Sequence, residues 1–153
     1  MKLDRIDRLI LRLLRNNARM PNKDLAEHAQ IAPSTALERV RKMHEEKVLL
    51  GYHAEVDARA IGIELQAMVA IRLTRHSRES LEAFEAHLRT LKEVLAFYHV
   101  AGKDDFLVHV GVRDTQHLRD FELAAFTQRV EVAHIETHLI FTFQRNPELP
   151  VYD

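Results

Sequence analysis

Cysteine is missing from this 153-residue chain, which excludes disulfides, thiolate metal sites and cysteine nucleophiles. No apolar run approaches the roughly 20 residues that span a bilayer, so no membrane partner is expected. The opening stretch MKLDRIDRLILRLLRNN carries Asp4 and Asp7 and lacks a small-residue cleavage site. It is not a secretion signal, and the expected location is cytoplasmic. There is no HExxH pair, phosphate-binding loop, nucleophile elbow or paired-carboxylate arrangement, so neither enzymatic activity nor a cofactor is expected. The ten histidines are scattered. Only His134 and His138 sit close together on one strand candidate, and no metal site is expected.

What remains is a composition with 46% hydrophobic and 29% charged residues, that of a soluble globular protein. The net charge of −1 is unevenly spread: residues 1–60 hold 12 Lys and Arg against 9 Asp and Glu, leaving 10 against 14 in the rest. A mildly basic front and an acidic rear suit a DNA-reading module followed by something else.

The chain is organised around Asn22–Lys47, which reads as two short helices and a tight turn. Leu25, Ala26 and Ala29 share a face of the first. Leu37, Val40, Met43 and His44 follow helical spacing in the second, which turns Ser34, Thr35, Glu38, Arg39, Arg41 and Lys42 outward. Such a helix fits the DNA major groove; a solvated helical hairpin is the alternative. Before it, Leu3–Arg15 is an amphipathic helix with Ile6, Leu9, Ile10, Leu13 and Leu14 as its stripe and Arg5, Arg8, Arg12 and Arg15 on the wet side. Asn22 is a candidate N-cap, and Pro33 suits a first helical turn.

After Lys47 the pattern changes. Val48–Val56 looks extended, and Asp57–Glu64 is a linker. Strands are expected at Leu65–Thr74, Val94–Val100, Phe106–Val112 and Val132–Phe143, with helices at Ser77–Leu91 and Asp114–Val130. The fold class is α+β: an N-terminal helix-turn-helix (winged-helix-like) domain joined by an extended linker to a ferredoxin-like βαββαβ domain. The expected divisions are 1–50 for the helix-turn-helix, 51–64 for strand and linker, 65–145 for the ferredoxin-like domain and 146–153 for a tail. Apolar residues occur on both parities of the strands, Val69, Ile71 and Leu73 against Met68 and Ala70. With helices on one face only, the second face is expected to pack on a copy of itself, a homodimer.

Five segments, LDRIDRLIL, ALERVRKM, LLGYHAEVD, AGKDDFLV and IETHLIF, give the chain a close resemblance to the leucine-responsive regulatory protein / AsnC (feast/famine) family of transcription regulators. The resemblance runs from Leu3 to about Arg145. It implies double-stranded DNA as partner, and a C-terminal domain that dimerises, assembles further to tetramers or octamers in many relatives, and binds an amino-acid effector between subunits. The DNA-binding element maps onto Asn22–Arg41, so Asn22, Lys23, Ser34, Thr35, Glu38, Arg39, Arg41 and Lys42 are the candidate contacts. The effector loop maps onto Gly102, Lys103, Asp104, Asp105 and Phe106, with Thr137 facing the same region. In three places the chain departs from many relatives: Gln30 and Lys47 stand where Gly is usual, and Ala32 where a capping Ser is usual. The alternative function is a small-molecule sensing or interaction protein that does not bind DNA.

Overall fold

The computed structural model describes residues 2–146; of the expected tail, only Asn146 lies within them. The chain divides into two compact units, one running to Glu55 and taking in Gln144 onward, the other Val56–Phe143. Among the described residues no helix is long and apolar enough to cross a membrane.

Among the described residues the first unit has three helices: α1 (Arg5–Asn16), α2 (Asn22–Ala29) and α3 (Pro33–Glu45). α1 begins where it does because Asp4 and Asp7 form a reciprocal capping box. Asp4 Oδ1 accepts the Ile6 and Asp7 N–H groups at 2.8 and 2.9 Å, and Asp7 Oδ2 accepts the Asp4 N–H at 3.1 Å, satisfying donors that a helix start leaves without partners. The core is Ile10, Leu14, Leu25, Ala26, Ala36, Val40 and Met43. Ala36, not Leu37, is the inward residue of α3; Leu37 is 53% exposed. The small Ala36 completes an i, i+4, i+7 row with Val40 and Met43 that lets α3 approach its neighbours closely. Asn22 is the first residue of α2, and the N-cap position falls to Pro21, which has no side-chain acceptor to offer.

Gln30 and Lys47 both adopt left-handed backbone, φ 54° and 55°. Both turns therefore hold a geometry suited to glycine with side-chain-bearing residues. Ala32 stands at the N-cap of α3 in extended conformation, again with no capping bond.

Val48–Val56 forms no strand. An extended segment becomes a strand only when a neighbour accepts its backbone hydrogen bonds, and among the described residues no strand pairs with it. A short 3-10 turn at Arg59–Ile61 follows.

The second unit is β1 (Leu65–Leu73), α4 (Arg78–Leu88), β2 (Val94–His99), β3 (Phe106–Val112), α5 (Thr115–Glu122) and β4 (Val132–Leu139). The sheet is antiparallel with strand order β2-β3-β1-β4, the ferredoxin-like arrangement. Ser77 and Asp114 cap α4 and α5 through their side chains. The expected single helix to Val130 ends early: α5 widens at Leu123–Thr127 into a π-turn. That extra residue per turn lets Ala125 and Phe126 both reach the core.

The core under the helices joins Ala67, Val69, Ile71 and Leu73 of β1 to Phe106, Val108, Val110 and Val112 of β3, and to Phe84, Leu88, Leu118, Phe121, Ala125 and Phe126. β4 stops at Leu139, short of the expected Phe143. Leu139 lies opposite Ala67 and the Ile140 N–H reaches Gln66 O, after which β1 has almost run out. The opposite sheet face is mixed, with Met68 flanked by His109 and His138, and Ala70 by Leu107 and Glu136. Gly111 alternates onto this face, where a Cβ would come within 2.9 Å of Ile63 and 3.0 Å of Leu95.

Candidate nucleic-acid interface and ligand loop

Helical geometry puts Ser34, Glu38, Arg41 and Glu45 in one row along α3, with Lys42 beside them; all five are exposed. Ala32, at the N-cap of α3, offers its first turn no side-chain acceptor, and an uncapped helix start with the positive end of the dipole is a setting that favours phosphate. Thr35 is half-buried at the edge of the row. At the start of α2, Lys23 is exposed and Asn22 half-buried. Arg41 Nε donates to Glu45 Oε1 at 2.7 Å, which raises the guanidinium pKa above its ordinary value; with both side chains exposed, water and salt weaken this tie.

Arg39 behaves differently from the other seven. It points back toward α1, with Nη1 2.7 Å from both Asp4 Oδ2 and Asp7 Oδ1. It does not share the outward row, contrary to the expectation from spacing. The signal that could have found this was the Asp4–Asp7 pair, two carboxylates one helical turn apart with a spare oxygen each. Leu37, which helical spacing groups with Val40 and Met43, is instead the apolar member of the exposed surface.

The second site is the loop between β2 and β3. The Val100 N–H donates to Asp105 O and the Asp105 N–H to Ile71 O, both at 2.9 Å, so the loop is closed at its base. Gly102, at φ 136°, supplies a backbone conformation that side-chain-bearing residues rarely adopt. Lys103 Nζ sits 2.9 Å from Glu136 Oε2. The pair raises the lysine pKa and lowers that of Glu136, each mainly through their shared hydrogen bond.

The loop brings together only some of the expected ligand residues. Gly102 and Lys103 are exposed and Asp104 half-buried. Asp105 is buried, its Oδ2 taken by the Leu73 N–H at 2.7 Å and its Oδ1 by His76 Nδ1 at 2.8 Å. Phe106 is fully buried, 5.2 Å from the Phe84 ring. Thr137 lies opposite Val69, on the helix-covered side, and donates to Glu122 Oε1 at 2.5 Å. Alternation along β4 sends its neighbour Glu136 to the loop and Thr137 away from it. Glu136 is the residue the sequence missed. Among the described residues no cluster of three or more His, Asp or Glu is arranged to hold a metal.

Residues 3–44 match the AsnC-type helix-turn-helix domain, and residues 66–144 match the Lrp/AsnC ligand binding domain. The chain is 43% identical to the HTH-type transcriptional regulator AldR of Mycolicibacterium smegmatis, over 94% of this chain and 84% of that one. It is 40% identical to AldR of Mycobacterium tuberculosis, over 94% and 80%. Among solved structures it resembles the transcriptional regulator NMB0573 of Neisseria meningitidis in complex with L-Met. There the TM-score is 0.89 at 25% identity, covering 97% of each chain.

Proposed function

The chain belongs to the Lrp/AsnC family of transcriptional regulators, and from that premise we propose that it reads duplex DNA with α3 and adjusts that reading through an amino acid held at the Gly102–Asp104 loop. The observation that carries the proposal is the exposed row on α3, in which hydrogen-bonding groups and cations face outward together. Arg41, Lys42 and Lys23 contact phosphates and set affinity. Ser34 and Glu38 face base edges, with Thr35 and Asn22 at the margin, and Leu37 offers an apolar contact to a thymine methyl. In a dimer built on the mixed sheet face, two α3 helices enter successive major grooves of a two-fold site. Further assembly to tetramers or octamers uses other surfaces of the same unit.

The similar meningococcal regulator is known with L-Met. Here the effector carboxylate is taken by loop N–H groups and Lys103, and its ammonium by Asp104 or Glu136. Asp105 and Phe106 shape the loop from behind. Binding that favours one assembly or pose of the DNA-binding units changes DNA affinity by that preference and no more. The protein acts in the cytoplasm, and this reading carries no catalytic step.

The Arg41–Glu45 bond, which neutralises one cation of the row, favours a second reading: α3 docks a protein instead of DNA. A mobility-shift titration on the DNA upstream of its own gene separates the two. DNA binding predicts a steep loss of affinity with salt and a weaker slope for Arg41→Ala with Lys42→Ala. Binding indifferent to both salt and these substitutions would remove the DNA reading.

A further inference from the structure

The Asp4–Asp7–Arg39 cluster is divided with little waste. Each carboxylate gives one oxygen to the backbone at the start of α1 and the other to Arg39. The Asp7 side chain is 4% exposed and that of Arg39 28%, so Arg39 is the counter-charge of a carboxylate held away from water. Asp4 is drawn below the ordinary carboxylate range, first by the Asp7 N–H and then by Arg39, and the Arg39 pKa is raised by Asp4 and then Asp7. For Arg39 to reach a DNA phosphate it would have to release both partners and leave Asp7 buried without its cation, which is unfavourable. Arg41 and Lys42, two and three positions on, are exposed, and the carboxylate that Arg41 meets, Glu45, is exposed too.

The geometry points to Arg39 as a positioning residue of the DNA-binding unit: it fastens α3 to the start of α1, fixing how α3 presents Ser34, Glu38 and Arg41, and so supports discrimination between DNA sequences without touching DNA. This rests on the DNA-binding reading above. A small roll of the helix would shift every base-facing group together, so the loss should fall on specific binding. Sequence-independent binding, which depends on the number of cations near phosphates, should be spared.

The test uses the full chain, a duplex that the wild-type protein selects from a random pool, and a scrambled duplex of equal length. Arg39→Ala is expected to lose about tenfold or more in affinity for the selected duplex, to keep its affinity for the scrambled one, and to keep the wild-type slope of log K against log salt. Lys42→Ala should instead lower that slope by about one and weaken both duplexes alike. Arg39→Lys, which can still bridge two carboxylates, should recover most of the discrimination. Asp4→Asn leaves the Asp7 bond in place and so keeps the fold, and it should lose specificity in the same direction as Arg39→Ala. A slope reduced by one in Arg39→Ala, or tighter DNA binding by Asp4→Asn as a released Arg39 turned outward, would overturn the assignment. Thermal unfolding of Asp4→Ala, Arg39→Ala and the pair should be non-additive; additive shifts would also overturn it. Failure of the wild-type protein to bind any duplex would show before a variant was made. It would remove the DNA reading and this role with it, while the thermal cycle would still report on the tie itself.

Discussion

Asp105 accepts the backbone N–H of Leu73 at 2.7 Å, fastening the β2–β3 loop to the far end of β1. Its second oxygen meets His76 at the β1–α4 connection, so one buried carboxylate ties three segments of the second unit. Asp105→Ala leaves the Leu73 N–H buried without an acceptor, and a hydrogen bond to a charged group contributes about 2 kcal/mol. Thermal unfolding should show that loss, while Asp105→Asn, which keeps one acceptor, should lose less. An Asp105→Ala protein as stable as wild type would show that the loop does not depend on this anchor.

Gln30 and Lys47 hold left-handed backbone that costs an L-residue about 1–2 kcal/mol. Glycine escapes that penalty but gains unfolded-state freedom worth about 0.4–1 kcal/mol. The first effect is the larger. Gln30→Gly and Lys47→Gly should therefore each stabilise the helical unit by about 0.5 kcal/mol in chemical denaturation. Destabilisation by either would mean that the side chain contributes more than its backbone strain.

Ala32 has the extended backbone of an N-cap, φ −68° and ψ 146°, but no oxygen to use. Ala32→Ser should add about 1 kcal/mol by accepting an N–H from the first turn of α3. If those N–H groups meet phosphate, the same change tightens the fold and leaves DNA affinity within a factor of a few. Melting and mobility-shift measurements on one preparation check both halves.

Burial holds the His109 imidazole below its ordinary pKa, so the folded chain favours its neutral form. Its Nε2 lies 2.8 Å from Gln66 Oε1. The unfolded chain takes up this proton near pH 6.5. The associated stability is therefore intact above that pH, and it declines on acidification until the lower folded pKa is reached. Unfolding free energies from pH 7.5 to 5 should fall more for wild type than for His109→Gln. Parallel profiles would reject the assignment.

Phe126 is fully buried and Phe141 is 94% exposed. Phe126→Ala should cost about 3–5 kcal/mol through lost burial and a residual cavity. Phe141→Ala should change the stability of the single chain by no more than about 0.5 kcal/mol. A larger effect of Phe141→Ala that grows with protein concentration would place this residue at a subunit contact.

Much of this molecule could be read from residue order. The helices expected within Ser77–Leu91 and Asp114–Val130 appear as α4 and α5, and β3 falls on Phe106–Val112 as expected. The acidic start of α1 was visible as Asp4 and Asp7, but the reciprocal cap they form was not read from it. Spacing failed where two faces of an element were both plausible. α3 buries Ala36 where a larger Leu37 stood beside it, and Thr137 faces the helices where Glu136 faces the loop.

Local sequence determined what short-range forces decide: which segments are helical or extended, where they cap and turn, and which class of regulator the chain resembles. Tertiary structure alone decided which charges were committed. Whether Arg39 looks outward or toward Asp4 and Asp7, and whether Asp105 greets a ligand or the Leu73 N–H, depends on groups more than 30 positions away. Periodicity can name the face of a helix, but it cannot say which distant carboxylate or amide will be waiting there when the chain closes up.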